Sequence, residues 1–157
     1  MPMVAVAALI VSSCMSGPQQ KQNASEFRAS LSAAKGVTSP ATGDAVFQLS
    51  ADGLKLTYRL TVSGITDVTM AHIHISAVAG ENGDVAVWLY PRNGSMLLKE
   101  GTFNGVLGEG TITAANLEGP LMNMSLSDLV DRIKQGRAYV NVHTNQNPDG
   151  EISGAIR

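Results

Sequence analysis

The chain contains three histidines, and all of them lie in two short segments. His72 and His74 belong to the sequence AHIHI at residues 71–75, and His143 belongs to YVNVHT at residues 139–144. Neutral imidazoles are good ligands for copper and zinc, and three of them leave one position on a tetrahedral ion open. We therefore predict a copper or zinc site formed by His72, His74 and His143, provided that the fold brings the two segments together.

Both segments alternate branched apolar residues with polar ones, which is typical of β-strands. Successive side chains in a strand point to opposite faces, so Ile73 and Ile75 should enter the core while His72 and His74 point out of it. The two imidazoles would then lie roughly 6.5–7 Å apart along the strand. The valines of the second segment place His143 outward in the same way. If the two strands are neighbours, the three imidazoles meet on the surface of the domain.

Polar residues near the second strand support two hypotheses. Asn141, Thr144 and Glu151 are candidates for hydrogen bonds that orient metal-binding histidines, and Glu151, a water molecule or a methionine could also complete the coordination. Alternatively, no metal binds, and the histidines hydrogen-bond to the backbone or to these side chains, which would fix the strand and the loop at 144–150. Neither hypothesis assigns a catalytic residue.

The composition limits the classes of protein to consider. The chain has 157 residues, of which 44% are apolar and 15% charged, and this indicates one folded domain after a short leader. Only seven residues are Phe, Tyr or Trp, so aliphatic side chains must fill the core. The net charge is −2 and the eleven basic residues are scattered, which argues against a nucleic-acid partner.

The first residues resemble an export signal. The apolar run at 4–11 is too short to span a bilayer but suits a secretory signal, and Val11-Ser12-Ser13-Cys14 is typical of a bacterial lipobox with Cys14 as the lipidated residue. We accordingly divide the chain into a signal peptide (1–13), a flexible tether (14–26) and a domain (27–157). The protein would be exported to the cell envelope, either held to the membrane by its lipid anchor alone or secreted.

One feature of this leader favours another interpretation. No Lys or Arg precedes Lys21, whereas a signal peptide normally begins with basic residues. The alternative is an apolar N-terminus on a cytosolic protein.

The remaining segments alternate with period two and are separated by turn residues. Asp52-Gly53 predicts a hairpin, and Asn82-Gly83 predicts a turn with positive φ. One helix is predicted over residues 124–135, with Ser125 and Asp128 as a capping box and Gly136 after its end. These elements indicate an all-β fold, an antiparallel Greek-key sandwich or barrel with one short helix in the C-terminal half.

Several motifs together resemble the CHRD domain, which was named from chordin and occurs in exported bacterial and archaeal proteins. They are the AHIH sequence at 71–74, GRAYVNVHT at 136–144 and GEI at 150–152. The resemblance covers the chain from about Phe27 to Ile156. Ser153 and Ala155 stand where the family favours Arg and Gln, so no role of that Arg can be transferred. The resemblance implies an immunoglobulin-like or superoxide-dismutase-like β-barrel and an extracellular role.

The His-x-His strand is also similar to the copper-binding strand of copper/zinc superoxide dismutases. A two-metal dismutase site needs more histidines than three, so a dismutase-like enzyme is disfavoured. The prediction is an exported binding protein whose partner is a metal ion. The alternative is a metal-free adhesion or interaction module that binds a cell-envelope protein or glycan through strand edges and through Trp88 and Tyr90.

Overall fold

The computed structural model describes residues 25–92 and 94–157. Within them the strands are β1 (Glu26–Ala33), β2 (Thr42–Leu49), β3 (Leu56–Ser76), β4 (Gly83–Tyr90), β5 (Lys99–Ile112), β6 (Ala138–Thr144) and β7 (Ile152–Ala155). Two short 3-10 helices (Ala114–Asn116 and Gly119–Leu121) precede the α-helix α1 (Leu126–Lys134). The predicted signal peptide, Cys14 and nearly all of the predicted tether lie outside the described residues.

Five of the strands close into an antiparallel barrel. Their order is β2-β1-β7-β6-β3, and β3 pairs with β2 to complete the ring. The two remaining strands, β4 and β5, pair with β3. Closing the ring satisfies the backbone hydrogen-bonding groups at the edges of its strands. The prediction of an all-β antiparallel barrel with one short helix is therefore confirmed.

Strand β3 organises the sheet because it is 21 residues long and has different neighbours along its length. Its first half pairs with β2 on one side and with β5 on the other. Its second half, from about residue 68, pairs with β6 and β4. The His-x-His sequence thus lies on a central strand with β4 and β6 on its two sides.

Aliphatic side chains fill the interior, as the composition predicted. Ile73 of β3 lies directly opposite Val140 of β6, and both are fully buried. Leu60 and Ile152 are also fully buried, and Ile75 is 6% exposed. Each such side chain contributes about 1.5–3 kcal/mol relative to an exposed position. The inward face of the His-x-His strand is therefore fixed by its isoleucines.

The predicted helix is present, and the residues predicted to begin and end it have the expected conformations and contacts. The backbone N–H of Ser125 donates to the Asp128 carboxylate at 2.9 Å, and Gly136 adopts a φ of +69° after the last turn. The apolar stripe is buried, and it consists of Leu126, Leu129, Val130 and Ile133. Among the described residues, no helix combines the length and the apolar character needed to cross a membrane.

One of the two turn predictions is wrong in its detail. Gly53 has the positive φ (+71°) expected of the Asp52-Gly53 hairpin. In the Asn82-Gly83 region the positive φ occurs at Gly80 instead (+84°). Gly83 is required for a different reason, because a Cβ at this position would collide with the carbonyl group of Ile75 on the paired strand. The glycine permits close strand packing and does not form the turn.

Candidate metal centre

Both histidine segments are strands, as the sequence predicted, and the fold makes them antiparallel neighbours, which was the condition for the predicted site. His72 lies opposite Asn141 and His74 lies opposite Tyr139, while His143 pairs with Met70 near the end of the ladder. His143 is thus diagonal to His72 on the same face of the sheet, a position from which long side chains make contact. One ring nitrogen from each histidine lies within 4.8 Å of the others. The fold therefore brings all three predicted ligands together.

The shortest approach in this histidine cluster is between His72 and His143. Nδ1 of His72 lies 3.2 Å from Nε2 of His143. Two nitrogens bound to one tetrahedral zinc ion, with bonds of 2.0–2.1 Å, would be about 3.3–3.4 Å apart. The ring centre of His74 lies 5.5 Å from that of His72 and 5.8 Å from that of His143. The observed spacing is compatible with one ion that draws His74 slightly inward.

The prediction that these histidines lie on the surface is wrong. His72, His74 and His143 are 3%, 8% and 6% exposed, respectively. Trp88 of β4 meets the ring of His72 edge-on with centres 4.2 Å apart, and Tyr139 stacks on His74 at 5.1 Å. Alternation shows which face of a sheet a side chain occupies. It does not show that neighbouring side chains and loops cover that face.

Two backbone carbonyls fix the orientation of two rings. Nδ1 of His74 lies 2.9 Å from the carbonyl oxygen of Gly83, and Nδ1 of His143 lies 2.8 Å from that of Pro148. A carbonyl oxygen only accepts hydrogen bonds, so each Nδ1 carries the hydrogen and each Nε2 keeps a lone pair. Metal-binding histidines usually donate their other N–H to a carbonyl or carboxylate in this way.

Two ring nitrogens in the cluster are buried without a hydrogen-bond partner. They are Nε2 of His72 and Nε2 of His74, and the carboxamide oxygen of Asn141 shares this property. These three are the only such side-chain atoms in the described part of the chain. Leaving a buried polar atom unpaired costs about 1–3 kcal/mol. The unpaired atoms are concentrated at the predicted site, which makes the cluster a candidate for a bound cation.

Burial also determines the protonation state of the cluster. Loss of solvation, together with smaller effects of the neighbouring His143 and His74, lowers the pKa of His72 to about 3. Loss of solvation likewise lowers the pKa of His74 and of His143, although the hydrogen bonds to Gly83 and Pro148 partly oppose this effect. All three imidazoles are therefore neutral at pH 7, which is the form that binds metals.

The predicted supporting residues act mainly on the loop at 144–150. The Glu151 carboxylate accepts hydrogen bonds from the Thr144 hydroxyl (2.7 Å), the Ser39 hydroxyl (2.6 Å) and the Asn147 amide (3.2 Å). Asn141 donates to the carbonyl of Asp149 at 3.1 Å. These contacts hold the loop whose Pro148 carbonyl orients His143. Thr144 and Glu151 thus support the cluster indirectly, through the loop.

Four contributors to the site are not assigned to it from the sequence. Trp88 and Tyr139 pack against histidine rings, and the hydroxyl of Tyr139 accepts a 3.0 Å hydrogen bond from the backbone N–H of Gly83. Alternation places Tyr139 on the face of His143, so that signal was available. The carbonyls of Gly83 and Pro148 have no signal in the sequence, because every residue carries a carbonyl.

A cleft of about 880 Å³ opens beside the cluster. Segments at 34–37, 80–83 and 146–150 line it, and His74, Tyr139 and Asn141 form part of its wall. Among the three histidines, His74 is the one that reaches the cleft. The cleft therefore borders the cluster at His74, although Nε2 of that residue is itself shielded from solvent.

The fold and the site define a small antiparallel β-barrel domain with a buried cluster of three neutral histidines at one sheet face. Residues 27–156 match the model of the CHRD domain, and the chain therefore belongs to the CHRD domain family. The family resemblance inferred from the sequence motifs is thereby confirmed. No curated protein and no solved structure matches the chain.

Proposed function

We propose that this CHRD domain is a binding module that holds one copper or zinc ion through His72, His74 and His143. The observation that carries the proposal is the pair of buried Nε2 atoms, on His72 and His74, that lack a partner. The ion would bind to Nε2 of His74, to Nε2 of His143 and to either ring nitrogen of His72. These imidazoles are already neutral and close together. Imidazole ligands suit both metals.

In the competing hypothesis no metal binds, and the histidines only form hydrogen bonds that hold the strand and the loop at 144–150 in place. It explains the bonds from His74 and His143 to backbone carbonyls equally well. In that state, Nδ1–H of His72 donates to Nε2 of His143, and the Nε2 atoms of His72 and His74 remain buried acceptors with no donor. A metal gives at least one of these lone pairs a partner. This difference favours the metal-binding function.

Titration of metal-free protein with Cu²⁺ and Zn²⁺ tests the proposal. We expect one equivalent to bind by calorimetry, and bound copper to quench the fluorescence of Trp88, the single tryptophan, because it contacts His72. Each variant His72→Ala, His74→Ala and His143→Ala should weaken binding by more than about 100-fold, beyond the 10- to 100-fold loss typical of an outer contact.

The matched control removes exposed carboxylates near the cleft. The double variant Glu81→Gln/Asp84→Asn changes one exposed acidic side chain in the turn before β4 and one at the start of β4, which would attract cations without selectivity. We expect its affinity to remain within about 3-fold of the wild type. Wild-type affinity in a His143→Ala variant that remains folded by circular dichroism would refute the proposed site. So would the absence of stoichiometric binding in the wild type.

We also propose that the protein is exported and anchored through Cys14. The support is the apolar run at 4–11 followed by the lipobox-like Val11-Ser12-Ser13-Cys14. Labelling cells with a radioactive fatty acid should mark the wild type and not Cys14→Ser. Equal labelling of both proteins, or none of the wild type, would contradict this localisation.

A metal-free interaction module remains a second candidate, and one observation favours it. Met96, Leu97 and Leu98 form a consecutive exposed run, at 65%, 56% and 41% exposure. Neighbouring apolar side chains on a surface often mark a contact with a partner. Capture of one envelope protein or glycan by metal-free protein, lost when these three residues become Ser, would support this function.

A further inference from the structure

The histidine cluster offers a bound ion three nitrogen atoms and no negative charge. Within the described part of the chain, no Asp, Glu or Cys side chain joins the three histidines at the spacing that one ion requires. Asp84 and Asp149 interact electrostatically with His74 and His143, but both carboxylates belong to exposed residues. Solvent and salt screen such exposed charges strongly. The surroundings of the cluster therefore do little to offset the charge of an ion.

The cluster is also enclosed. Nε2 of His72 and Nε2 of His74 are shielded from solvent, and Nε2 of His143 lies 3.2 Å from Nδ1 of His72. Trp88 meets the ring of His72, and Tyr139 stacks on that of His74. An ion that enters the cluster thus exchanges its hydration shell for three neutral nitrogens among aromatic rings.

We infer that the cluster selects the monovalent ion Cu⁺ over Cu²⁺ and Zn²⁺. The inference rests on the proposed metal site and specifies the ion that this site holds. The free energy needed to remove an ion from water rises with the square of its charge, so a divalent ion loses about four times as much as a monovalent ion of the same size. The attraction between an ion and a neutral ligand rises only in proportion to the charge. Neutral ligands in an enclosed site therefore favour the lower charge.

The number of ligands supports the same ion. Zinc sites in proteins almost always have four ligands, and Cu²⁺ prefers square-planar or tetragonal sets of nitrogen and oxygen. Nδ1 of His74 and Nδ1 of His143 donate to the carbonyls of Gly83 and Pro148, so each of these rings offers a single nitrogen. Cu⁺ has a filled d shell and is stable with three nitrogen ligands. A closed set of three imidazoles thus suits Cu⁺ better than either divalent ion.

The reduction potential of the copper-loaded full chain tests the inference. Cu⁺ is added without oxygen, its affinity is measured by competition with bicinchoninate, and the potential of the bound copper is measured with redox mediators. We expect a potential above that of the aqueous Cu²⁺/Cu⁺ couple, by about 59 mV for each tenfold preference for Cu⁺. One equivalent of Cu⁺ should also displace bound Zn²⁺. A potential at or below the aqueous value would overturn the inference, as would retention of Zn²⁺.

Asn141→Asp tests the role of charge, because it adds a carboxylate without changing the size of the side chain. Asn141 is buried opposite His72 in the β3–β6 ladder, where paired Cβ atoms are about 4.5–5.5 Å apart. A negative charge there stabilises Cu²⁺ more than Cu⁺, so the preference for Cu⁺ should fall by at least about tenfold. The control Gln146→Glu adds the same charge at an exposed position of the loop at 144–150 and should change the preference by less than about threefold.

The remaining outcomes are also decisive. Equal effects of Asn141→Asp and Gln146→Glu, or no effect of Asn141→Asp, would overturn the inference. If Asn141→Asp does not fold, His74→Asp and His74→Asn give the same comparison, because these two variants differ from each other only in charge. Failure of the wild type to bind Cu⁺, Cu²⁺ and Zn²⁺ alike would instead refute the proposed function itself, so the two failures are distinguishable.

Discussion

Nδ1 of His72 lies 3.2 Å from Nε2 of His143, although 71 positions separate the two residues in the chain. This contact depends on the register of β3 against β6, in which Met70 faces His143 and His72 faces Asn141. A slip of one residue would move the side chains of one strand to the opposite face of the sheet. The aliphatic pair Ile73 and Val140, fully buried on the other face, opposes such a slip.

The first prediction concerns pH and the metal-free protein. The pKa of His72 is about 3 in the folded state and near 6.5 in the unfolded chain, so the unfolded chain takes up a proton first as the pH falls. The free energy of unfolding should therefore decrease below pH 6.5, by roughly 1 kcal/mol per pH unit for His72. Urea unfolding in the presence of a chelator, from pH 7 to pH 5, measures this slope.

The control for the pH experiment is His72→Gln, which removes the titrating group and keeps a polar side chain. Its unfolding free energy should depend less steeply on pH than that of the wild type. Identical slopes would contradict the assignment of a lowered pKa to His72.

The second prediction compares two Tyr→Phe substitutions, at Tyr139 and Tyr58, for their effects on the free energy of unfolding and on metal affinity. Tyr139→Phe loses the bond from the Gly83 N–H but keeps the ring that stacks on His74. We expect its free energy of unfolding to fall by about 0.5–1.5 kcal/mol and its metal affinity to fall by up to about 10-fold, because the Gly83 carbonyl that orients His74 is less constrained. Chemical unfolding and calorimetric titration measure the two effects.

Tyr58→Phe is the matched control for that substitution. It removes a buried hydroxyl that donates to the carbonyl of Leu89 at 2.7 Å, outside the histidine cluster. It should cost a similar amount of stability with no change in metal affinity. Equal losses of affinity in the two variants would show that the effect of Tyr139→Phe is not specific to the site.

The third prediction concerns Glu151, whose carboxylate accepts three hydrogen bonds that hold the loop at 144–150. In Glu151→Gln one carboxylate oxygen becomes an amide group that cannot accept, and we expect a loss of about 1.5–3 kcal/mol of unfolding free energy. Metal affinity should fall as well, since this loop carries the Pro148 carbonyl that orients His143. Thermal denaturation with and without metal measures both losses.

The control for Glu151 is Glu109→Gln, which removes an exposed ion pair with Arg59. Exposed pairs contribute about 0–1 kcal/mol, so this variant should remain close to the wild type in stability and in metal affinity. A Glu151→Gln protein that behaves like Glu109→Gln would refute the supporting role of the loop.

The fourth prediction compares two glycines. Gly83→Ala places a methyl group against the Ile75 carbonyl, and we expect a loss of roughly 2–4 kcal/mol together with weaker metal binding, because the Gly83 carbonyl must shift. Gly53→Ala meets open space and costs only the strain of its positive φ, about 1–2 kcal/mol. Unfolding midpoints and metal titration of both variants give the comparison, and unchanged metal affinity in Gly83→Ala would contradict it.

Local patterns in the sequence were sufficient for most of the secondary structure. Alternation identified the strands that contain Ile73 and Val140, because the period of two follows directly from strand geometry. The capping box at Ser125 and Asp128 identified the start of the helix. It is also a local signal, because its two residues are only three positions apart. The Asn82-Gly83 motif does not distinguish between two roles of glycine. Glycine is favoured where φ is positive and also where two strands pack too closely for a Cβ, and Gly83 has the second role.

The sequence by itself determined an antiparallel all-β fold, a sandwich or a barrel, and placed each histidine on the non-core face of its own strand, whereas the tertiary structure closed the barrel and made the two histidine strands neighbours. The tertiary structure decided that this face is covered, that Trp88 and Tyr139 flank the rings, and that the carbonyls of Gly83 and Pro148 orient them. The physical reason is the range of the interactions. Alternation and capping are set by backbone geometry over a few residues, whereas burial and hydrogen bonds to distant carbonyls depend on which segments meet in space.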